Sequence, residues 1–360
     1  MLRRALHLVA FLLVAAGLLY GRLPARASEA PVAPPSAAHI ALLLPAGSEA
    51  FARAAEAVRA GFTDASKKST APLPVRLYAV GDNPQLVLAA YRQAVAAGAG
   101  LVVGPLTRNG VNALVSAPEV VTVPTLALNV PERNAAIPTR LYMLSLQIEA
   151  EARQVAQLAL SEGRRKAFTV SEPTPLARRM RDAFVEAFQR GGGHHIADYA
   201  YATDPASLDG MRKAAETRVA DMVFYAVDAS RLRTVRSAMA GLTGYGTSQL
   251  NPGAASDPAA AIELADVRFV DMPWMVQPDH PAVMIYARGG QRQADDLERL
   301  YALGIDAFRV SEELLNGSRE IALDGVTGRL TLGPDGQFRR GLLVALVDSG
   351  RLTVLGESRP

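Results

Sequence analysis

Small and polar residues follow several predicted strands at the point where each strand ends. They are Ser48, Thr107, Ala127, Asn129, Glu172 and Asp228. In a parallel sheet the carboxyl ends of the strands lie along one edge, and ligands of open α/β sheets bind there. We therefore consider these six residues as candidates for the lining of a ligand-binding cleft.

Two of these positions have groups suited to a ligand that carries a carboxylate and an ammonium group. Gly104-Pro105-Leu106-Thr107 would begin a helix, whose free backbone N–H groups and threonine hydroxyl can bind a carboxylate. Asp228 could pair with an ammonium group. Thr107, Asn129 and Asp228 could equally cap their own helices or turns without any ligand. The sequence leaves ligand binding and local capping as alternatives.

The chain lacks the motifs of common enzyme classes. It contains no G-x-S-x-G, no G-x-x-x-x-G-K-[ST] and no H-E-x-x-H sequence. His194-His195 is predicted to lie in an exposed turn after a helix, because no third metal ligand is spaced nearby. The acidic pairs Asp295-Asp296 and Glu312-Glu313 are predicted on the solvated faces of helices. We therefore expect a protein that is not an enzyme and has no catalytic residue, metal or cofactor.

Short apolar segments alternate with amphipathic helical stretches from His39 onwards. The first strands are predicted at Ile40–Leu44, Val75–Val80, Leu101–Val103 and Thr122–Leu128. A second series of strands and helices follows from Gln147. Such alternation is typical of parallel sheets that are covered on both faces.

The predicted fold is therefore α/β with two Rossmann-like lobes built on parallel sheets. We assign residues 39–145 to the first lobe, 146–274 to the second, and 275–360 to the completion of the first. The last segment differs in character, because its short apolar runs are separated by turn pairs such as Asp324-Gly325 and Asp335-Gly336. These pairs predict antiparallel hairpins at the carboxyl end.

The amino terminus has the order of a secretory signal. Arg3-Arg4 precedes the apolar stretch Ala5–Tyr20, and Ala25-Arg26-Ala27 supplies the small residues that signal peptidase requires. Residues 1–27 are thus predicted to be cleaved before Ser28, and residues 28–38 to form a Pro/Ala-rich tether. An uncleaved anchor is the alternative, although the apolar run is shorter than the ~20 residues that span a membrane. We expect a periplasmic protein.

The net charge and the cysteine count exclude several function classes. The formal charge is +3, but the first 27 residues hold four arginines and no acidic residue, so the remainder is close to neutral. A near-neutral domain has no bulk attraction to nucleic acid. The absence of cysteine excludes disulfides, thiol catalysis and an acylated cysteine. We expect neither a lipoprotein nor stable membrane insertion after signal cleavage.

Five segments of the chain are similar, in the same order, to one known family. They are Ile40–Pro45, Val103–Leu106, Val123–Asn129, Tyr301–Ala307 and Asp324–Leu332. Over roughly residues 39–355 the chain resembles the carboxyl-terminal domain of the LppC/LpoA-type penicillin-binding protein activators. The resemblance implies a type I periplasmic-binding-protein fold. The activators are lipid-anchored, whereas this chain has no cysteine to acylate.

The resemblance also implies a function. It implies a non-enzymatic regulator that acts by protein–protein contact in cell-envelope biogenesis, with a class A penicillin-binding protein as its partner. The alternative is a solute receptor whose cleft closes on a small amino-acid-like or muropeptide ligand. Thr107, Ala127 and Asn129 stand where the related amino-acid receptors have small or hydroxyl residues. Those receptors also have an aromatic residue in the loop that corresponds to Ser171–Pro175, and this chain has none there.

Overall fold

The computed structural model describes residues 38–132, 136–251, 265–286, 294–348 and 351–358. The predicted signal peptide, and all but the last residue of the predicted tether, lie outside the described residues.

The first lobe is built on a five-stranded parallel sheet. Its strands are β1 (His39–Leu44), β2 (Val75–Ala79), β3 (Ala99–Val103), β4 (Thr125–Ala127) and β5 (Leu141–Met143), in the order β2-β1-β3-β4-β5. Every residue of β1 is buried. Because successive side chains point to opposite faces, Leu42 and Leu43 belong to two different hydrophobic clusters. The uninterrupted apolar run of β1 thus reflects burial on both faces of the sheet.

The helices of the first lobe are α1 (Ala52–Ser66), α2 (Pro84–Ala96) and α3 (Arg108–Ser116). The start of α2 is well defined by its sequence. The side chain of Asn83 accepts hydrogen bonds from the backbone N–H groups of Gln85 and Leu86. Pro84 occupies the first helical position, where its missing N–H group costs no hydrogen bond.

The second lobe is built on a seven-stranded sheet in the order β15-β14-β10-β9-β8-β6-β7. The parallel strands are β6 (Lys166–Ser171), β7 (His194–Ala200), β8 (Met222–Ala226), β9 (Thr243–Gly246) and β10 (Arg268–Asp271). Strands β14 (Leu343–Asp348) and β15 (Arg351–Glu357) add to β10 in antiparallel orientation.

The position of β14 and β15 corrects the predicted lobe boundaries. We expected the whole of 275–360 to complete the first lobe, and this is wrong for the last two strands, which extend the second sheet. Antiparallel hairpins at the carboxyl end were predicted, and β14 and β15 pair in this way. The sequence does not reveal which sheet the hairpin joins, because β10 offers an apolar edge more than 70 residues away from it along the chain.

The helices of the second lobe are α4 (Ile148–Ser161), α5 (Pro175–Arg190), α6 (Pro205–Glu216) and α7 (Ala229–Arg236). The predicted turn at His194-His195 is wrong, because both histidines lie in β7 and pair with β6. The ring of His195 lies 3.2 Å from the hydroxyl of Thr169 and 3.3 Å from the carboxylate of Asp198. The exposed turn after α5 is formed by Gly191 and Gly192, and the strand begins directly after Gly193.

Two glycines allow the longest helix to cross the first lobe closely. After the short helices α8 (Pro273–Val276) and α9 (Pro281–Met284), α10 (Asp295–Leu315) packs on α1. A Cβ atom on Gly61 would lie 1.9 Å from the carbonyl oxygen of Tyr301, and one on Gly304 would lie 2.1 Å from that of Val58. Only glycine at both positions permits this backbone contact.

A small antiparallel sheet completes the fold. It contains β11 (Ala322–Gly325), β12 (Gly328–Leu332) and β13 (Phe338–Gly341), and β13 was not predicted. The first turn lies at Val326-Thr327, two residues later than predicted. The buried carboxylate of Asp306 in α10 accepts hydrogen bonds from the backbone N–H groups of both turn residues and from the Thr327 hydroxyl. Burial raises the pKa of Asp306, although the charge of Arg309 and these hydrogen bonds oppose the shift.

Candidate functional site

A cleft of about 480 Å³ lies between the two lobes and is lined mainly by apolar side chains. The start of α3 and the segment after β4 form one wall, and the first turns of α4 and α5 form another. The apolar lining consists of Phe51, Ala54, Leu106, Leu128, Leu146, Ile148, Leu176, Leu300 and Leu303.

Thr107 and Asn129 are the two predicted site residues that line this cleft. The Thr107 hydroxyl caps α3 by accepting a hydrogen bond from the Gly110 backbone N–H group at 3.2 Å. The Asn129 side chain donates to the Leu106 carbonyl at 3.0 Å and accepts from the Val130 N–H group at 3.0 Å. Both side chains therefore stabilise the turns on which they sit, and the local-capping alternative accounts for each of their observed bonds.

The polar edge of the cleft is an ion-pair triad that the sequence analysis did not identify. The carboxylate of Glu149 lies 2.9 Å from Nε of Arg179 and 3.4 Å from Nη2 of Arg108. Arg108 starts α3 in the first lobe, whereas Glu149 and Arg179 belong to the second. The triad thus bridges the lobes, and Glu149 neutralises much of the positive charge in the cleft.

Glu172 and Asp228 form a second charged group, which is not part of the cleft lining. Arg231 lies between them, with its Nε 3.3 Å from Glu172 and its Nη1 paired with Asp228. The guanidinium of Arg231 also lies 5.9 Å from the ring centroid of Tyr201. The position that we expected an ammonium group to occupy is therefore taken by a side chain of the protein.

Asp228 also caps α7. Its Oδ1 accepts hydrogen bonds from the Arg231 N–H group at 2.8 Å and from the Ser230 hydroxyl at 2.7 Å. Partial burial raises the pKa of Asp228, but the hydrogen bonds from Ser230 and Arg231 and the charge of Arg231 outweigh it, so the net pKa is below its ordinary value. The ionised form is the one that the structure stabilises.

Ser48 and Ala127 lie away from the cleft lining. Ser48 is half-buried in the turn after β1, where its N–H group donates to the Pro45 carbonyl at 3.1 Å. Ala127 is fully buried in β4 within the hydrophobic cluster on one face of the first sheet. Of the six predicted residues, the structure brings together two in the cleft and two around Arg231.

The cleft residues that the sequence analysis missed come mainly from helices. Leu176 and Arg179 lie in the first turns of α5, and Leu300 and Leu303 lie in α10. Leu303 is buried and Leu300 packs against the same hydrophobic core, whereas Leu176 is exposed. Only the return of α10 across the first lobe, held by Gly61 and Gly304, turns Leu300 and Leu303 toward the cleft.

A buried charge network joins the lobes beneath the cleft. Arg299 of α10 pairs with Asp271 at the end of β10 at 2.7 Å and donates to the Ser248 carbonyl at 3.1 Å. Arg340 of β13 donates to the Ser145 carbonyl at 3.0 Å and lies 3.4 Å from Glu151 of α4. Each charge therefore has an opposite charge within the network.

Burial sets the ionisation of this network. It raises the pKa of the Glu151 carboxyl, although the Arg340 charge opposes the shift. Burial lowers the pKa of Arg299, but the charge of Asp271 and its hydrogen bond outweigh this, so the net pKa is above its ordinary value. Arg299 therefore remains charged under all ordinary conditions.

Comparison with known families identifies the chain. The model of the family described as "LppC putative lipoprotein" matches residues 33–212 and 202–346, which is most of the sequence. The chain belongs to the LppC family.

Two curated proteins that are similar to this chain are both described as the penicillin-binding protein activator LpoA. The penicillin-binding protein activator LpoA of Pectobacterium parmentieri is 25% identical over 397 residues, which cover 91% of this chain and 58% of the relative. The protein of the same name from Haemophilus ducreyi is 25% identical over 84% of this chain and 52% of its own length. This LppC chain thus spans between about half and three-fifths of these activators.

Solved structures agree with the fold. A structure described as a putative branched-chain amino acid ABC transporter from Chromobacterium violaceum is 39% identical, covers 86% of this chain and 99% of its own, and has a TM-score of 0.73. The C-domain of LpoA from Haemophilus influenzae, described as a regulator of PBP1A, is 22% identical over 88% of this chain and 99% of its own, also with a TM-score of 0.73. The LppC chain therefore has the fold shared by that C-domain and by periplasmic solute-binding proteins.

Two negative observations apply to the described part of this LppC chain. No group of three or more His, Cys, Asp or Glu side chains is arranged to hold a metal ion there. Nor does any helix in the same ranges combine the length and apolar character needed to cross a membrane.

Proposed function

We propose that this LppC chain is a periplasmic regulator that binds a class A penicillin-binding protein and stimulates peptidoglycan synthesis by contact. The observation that carries the proposal is membership of the LppC family, together with the activators that align along 91% of the chain. The part of the activators that aligns is the part whose fold this chain shares. We propose that the chain itself catalyses no reaction.

The charged side chains that line the cleft favour a regulator that acts by protein–protein contact over a receptor that binds a free amino acid. An amino-acid receptor needs an anion free to bind an ammonium group and a cation free to bind a carboxylate. In the cleft, Glu149 engages both of the lining arginines, Arg108 and Arg179. Asp82 also lines the cleft and accepts a hydrogen bond from Asn109, so an anion is present for an ammonium group. The carboxylate of a free amino acid would have to displace Glu149 from these arginines.

The network beneath the cleft supports a fixed relation between the lobes. A receptor that closes by a hinge must repack the residues at its crossovers. The Arg299–Asp271 pair and the Arg340 contacts to Ser145 and Glu151 lie at those crossovers and are buried. Breaking buried pairs is costly, so we propose that the lobes present a nearly rigid surface to the partner.

We propose a periplasmic location. The support is the Arg3-Arg4 and apolar signal pattern of the first residues. Fractionation of cells that express the carboxyl-terminally tagged chain tests this. We expect the protein in the periplasmic or envelope fractions, and recovery in the cytosolic fraction would contradict the proposed location.

A binding experiment tests the function. The mature chain is immobilised and exposed to the class A synthase of the same organism, with an unrelated periplasmic protein immobilised as the control. Retention of the synthase only by the LppC chain supports the proposal. Equal retention on both surfaces, or none on either, contradicts it.

A second candidate function is solute binding. It is favoured by the 39% identity to the structure described as a putative branched-chain amino acid ABC transporter. This candidate predicts that leucine, isoleucine or valine raises the melting temperature of the mature chain, because a ligand that binds only the folded state stabilises it. The proposed regulator predicts no rise with any of the three.

A further inference from the structure

A second concave site lies next to the cleft and has a different character. It is a groove of about 360 Å³ between one face of α4 and the strand β13, and Gln147 lines both this groove and the cleft. We call it the arginine groove. One wall carries Arg153 and Gln157 of α4, and the other carries Gln337 and Arg339.

The two outer arginines of the groove have no anionic partner. Within the described residues, neither Arg153 nor Arg339 makes an ion pair or a side-chain hydrogen bond, in contrast to Arg340 below them. The carboxylate of Asp335 also lines the groove, and it accepts a hydrogen bond from the Gln337 N–H group at 3.2 Å. The lining therefore has a surplus of positive charge and of hydrogen-bond donors.

The floor of the groove is rigid and its bonds are already satisfied. Arg340 is held by the carbonyl oxygens of Ser145 and Thr327 and by Glu151. Gln154 donates to the Arg340 carbonyl at 2.9 Å, and its oxygen accepts from Ser358 at 2.6 Å. The free donors therefore stand on segments whose own buried polar groups are already hydrogen-bonded.

We propose that the arginine groove binds a carboxylate-rich segment of the protein partner, an inference that rests on the proposed function because it requires such a partner. Guanidinium groups bind carboxylates through paired, charge-assisted hydrogen bonds. Arg153 and Arg339 stand on opposite walls, so successive acidic side chains of one peptide can engage both. The amide groups of Gln157 and Gln337 add uncharged donors beside them.

The experiment uses the mature chain and a hexaglutamate peptide with blocked ends. Binding is measured by NMR titration, with hexaglutamine and succinate as further ligands. The variants are Arg153→Gln, Arg339→Gln and the double variant. Arg92→Gln is the matched control, because Arg92 is exposed on α2 of the first lobe and loses the same charge. Circular dichroism verifies that every variant is folded.

The groove predicts that hexaglutamate shifts the side-chain amide signals of Gln157 and Gln337. It also predicts that each single groove variant binds the peptide about tenfold more weakly, which corresponds to about 1.4 kcal/mol. Arg92→Gln should bind as the wild type does. Equal weakening by Arg92→Gln, unchanged binding in the double variant, or succinate binding as tight as the peptide would each overturn the inference.

The same variants separate this inference from the proposed function. If the wild type and the double variant retain the synthase equally, the groove assignment fails and the proposed function stands. If the wild type retains no synthase but the groove binds hexaglutamate, the proposed function fails and the acidic-peptide site stands.

Discussion

Nη2 of Arg299 lies 2.7 Å from Oδ2 of Asp271, and this buried pair connects α10 to the last parallel strand of the second sheet. Because α10 packs on α1, the pair connects the two lobes. Asp271 also accepts hydrogen bonds from the Asn251 side chain and from the Met272 N–H group. The Asp271 carboxylate therefore contributes to the fixed arrangement of the lobes, together with the Arg340 contacts and the Glu149 triad.

We predict that Asp271→Asn lowers the free energy of unfolding by about 3–5 kcal/mol, because the buried Arg299 charge keeps only the exposed carboxylate of Asp296, at 3.8 Å, as an ion-pair partner. Urea denaturation measures the change. Arg212→Gln is the control, since it breaks an exposed pair with Asp209 and should cost no more than about 1 kcal/mol. If Asp271→Asn lowers the free energy of unfolding as little as the control does, the Arg299–Asp271 pair does not stabilise the arrangement of the lobes.

The glycines at the contact between α1 and α10 provide a second test of the packing. Gly304→Ala places a methyl group against the Val58 carbonyl and should cost about 1–3 kcal/mol or more. Gly210→Ala is the matched substitution in α6, where a Cβ atom meets nothing within 4 Å, and should stabilise by about 0.5–1 kcal/mol. Thermal unfolding of both variants measures the difference. Equal melting temperatures would contradict the close α1–α10 contact.

Charge neutralisation by Glu149 determines what the cleft can bind. In Glu149→Gln the guanidinium groups of Arg108 and Arg179 lose their anion within an apolar cleft, so a compact apolar carboxylate such as benzoate should bind. At a hundredfold excess over its dissociation constant it would stabilise the variant by about 2.7 kcal/mol. The wild type and the exposed control Glu186→Gln should show no shift. A benzoate shift in the wild type would mean that the cleft is already a ligand site.

The Asp228 carboxylate should make the stability of the folded chain depend on pH. In Asp228→Asn the side chain can still cap α7, but it no longer pairs with Arg231 as an ion. Because the folded-state pKa is below the unfolded value, the stabilisation is present above the unfolded pKa and is lost as the pH falls through the folded pKa. The wild type should thus be more stable than the variant at pH 7, by no more than about 1 kcal/mol because the pair is partly exposed, and this difference should shrink as the pH falls below the unfolded pKa. A difference in stability that does not depend on pH would contradict the ion pair.

The sequence predicted those parts of the fold that depend on local pattern. The buried run of β1, the Pro84 helix start and the carboxyl-terminal hairpins follow from periodicity and turn chemistry. What the sequence did not predict depends on long-range packing. The pairing of β14 with β10 and the return of α10 to the first lobe both join segments far apart in the chain.

The same distinction applies to the site. Thr107 and Asn129 were found because they follow strands, and position after a strand is a local signal. Glu149 and Arg179 lie within helices, where a charged residue is ordinarily solvated, so their contact could not be recognised before the lobes were assembled. The pairing of Glu172 and Asp228 with Arg231 likewise depends on two strands becoming neighbours in the sheet.

The measurement that tests the central claim most directly is the rate of glycan polymerisation by the class A synthase of the same organism. The rate is determined with increasing concentrations of the mature LppC chain and with an unrelated periplasmic protein as the control. We predict that the rate rises and saturates as the chain is added. An unchanged rate at concentrations that saturate binding would contradict the proposed function.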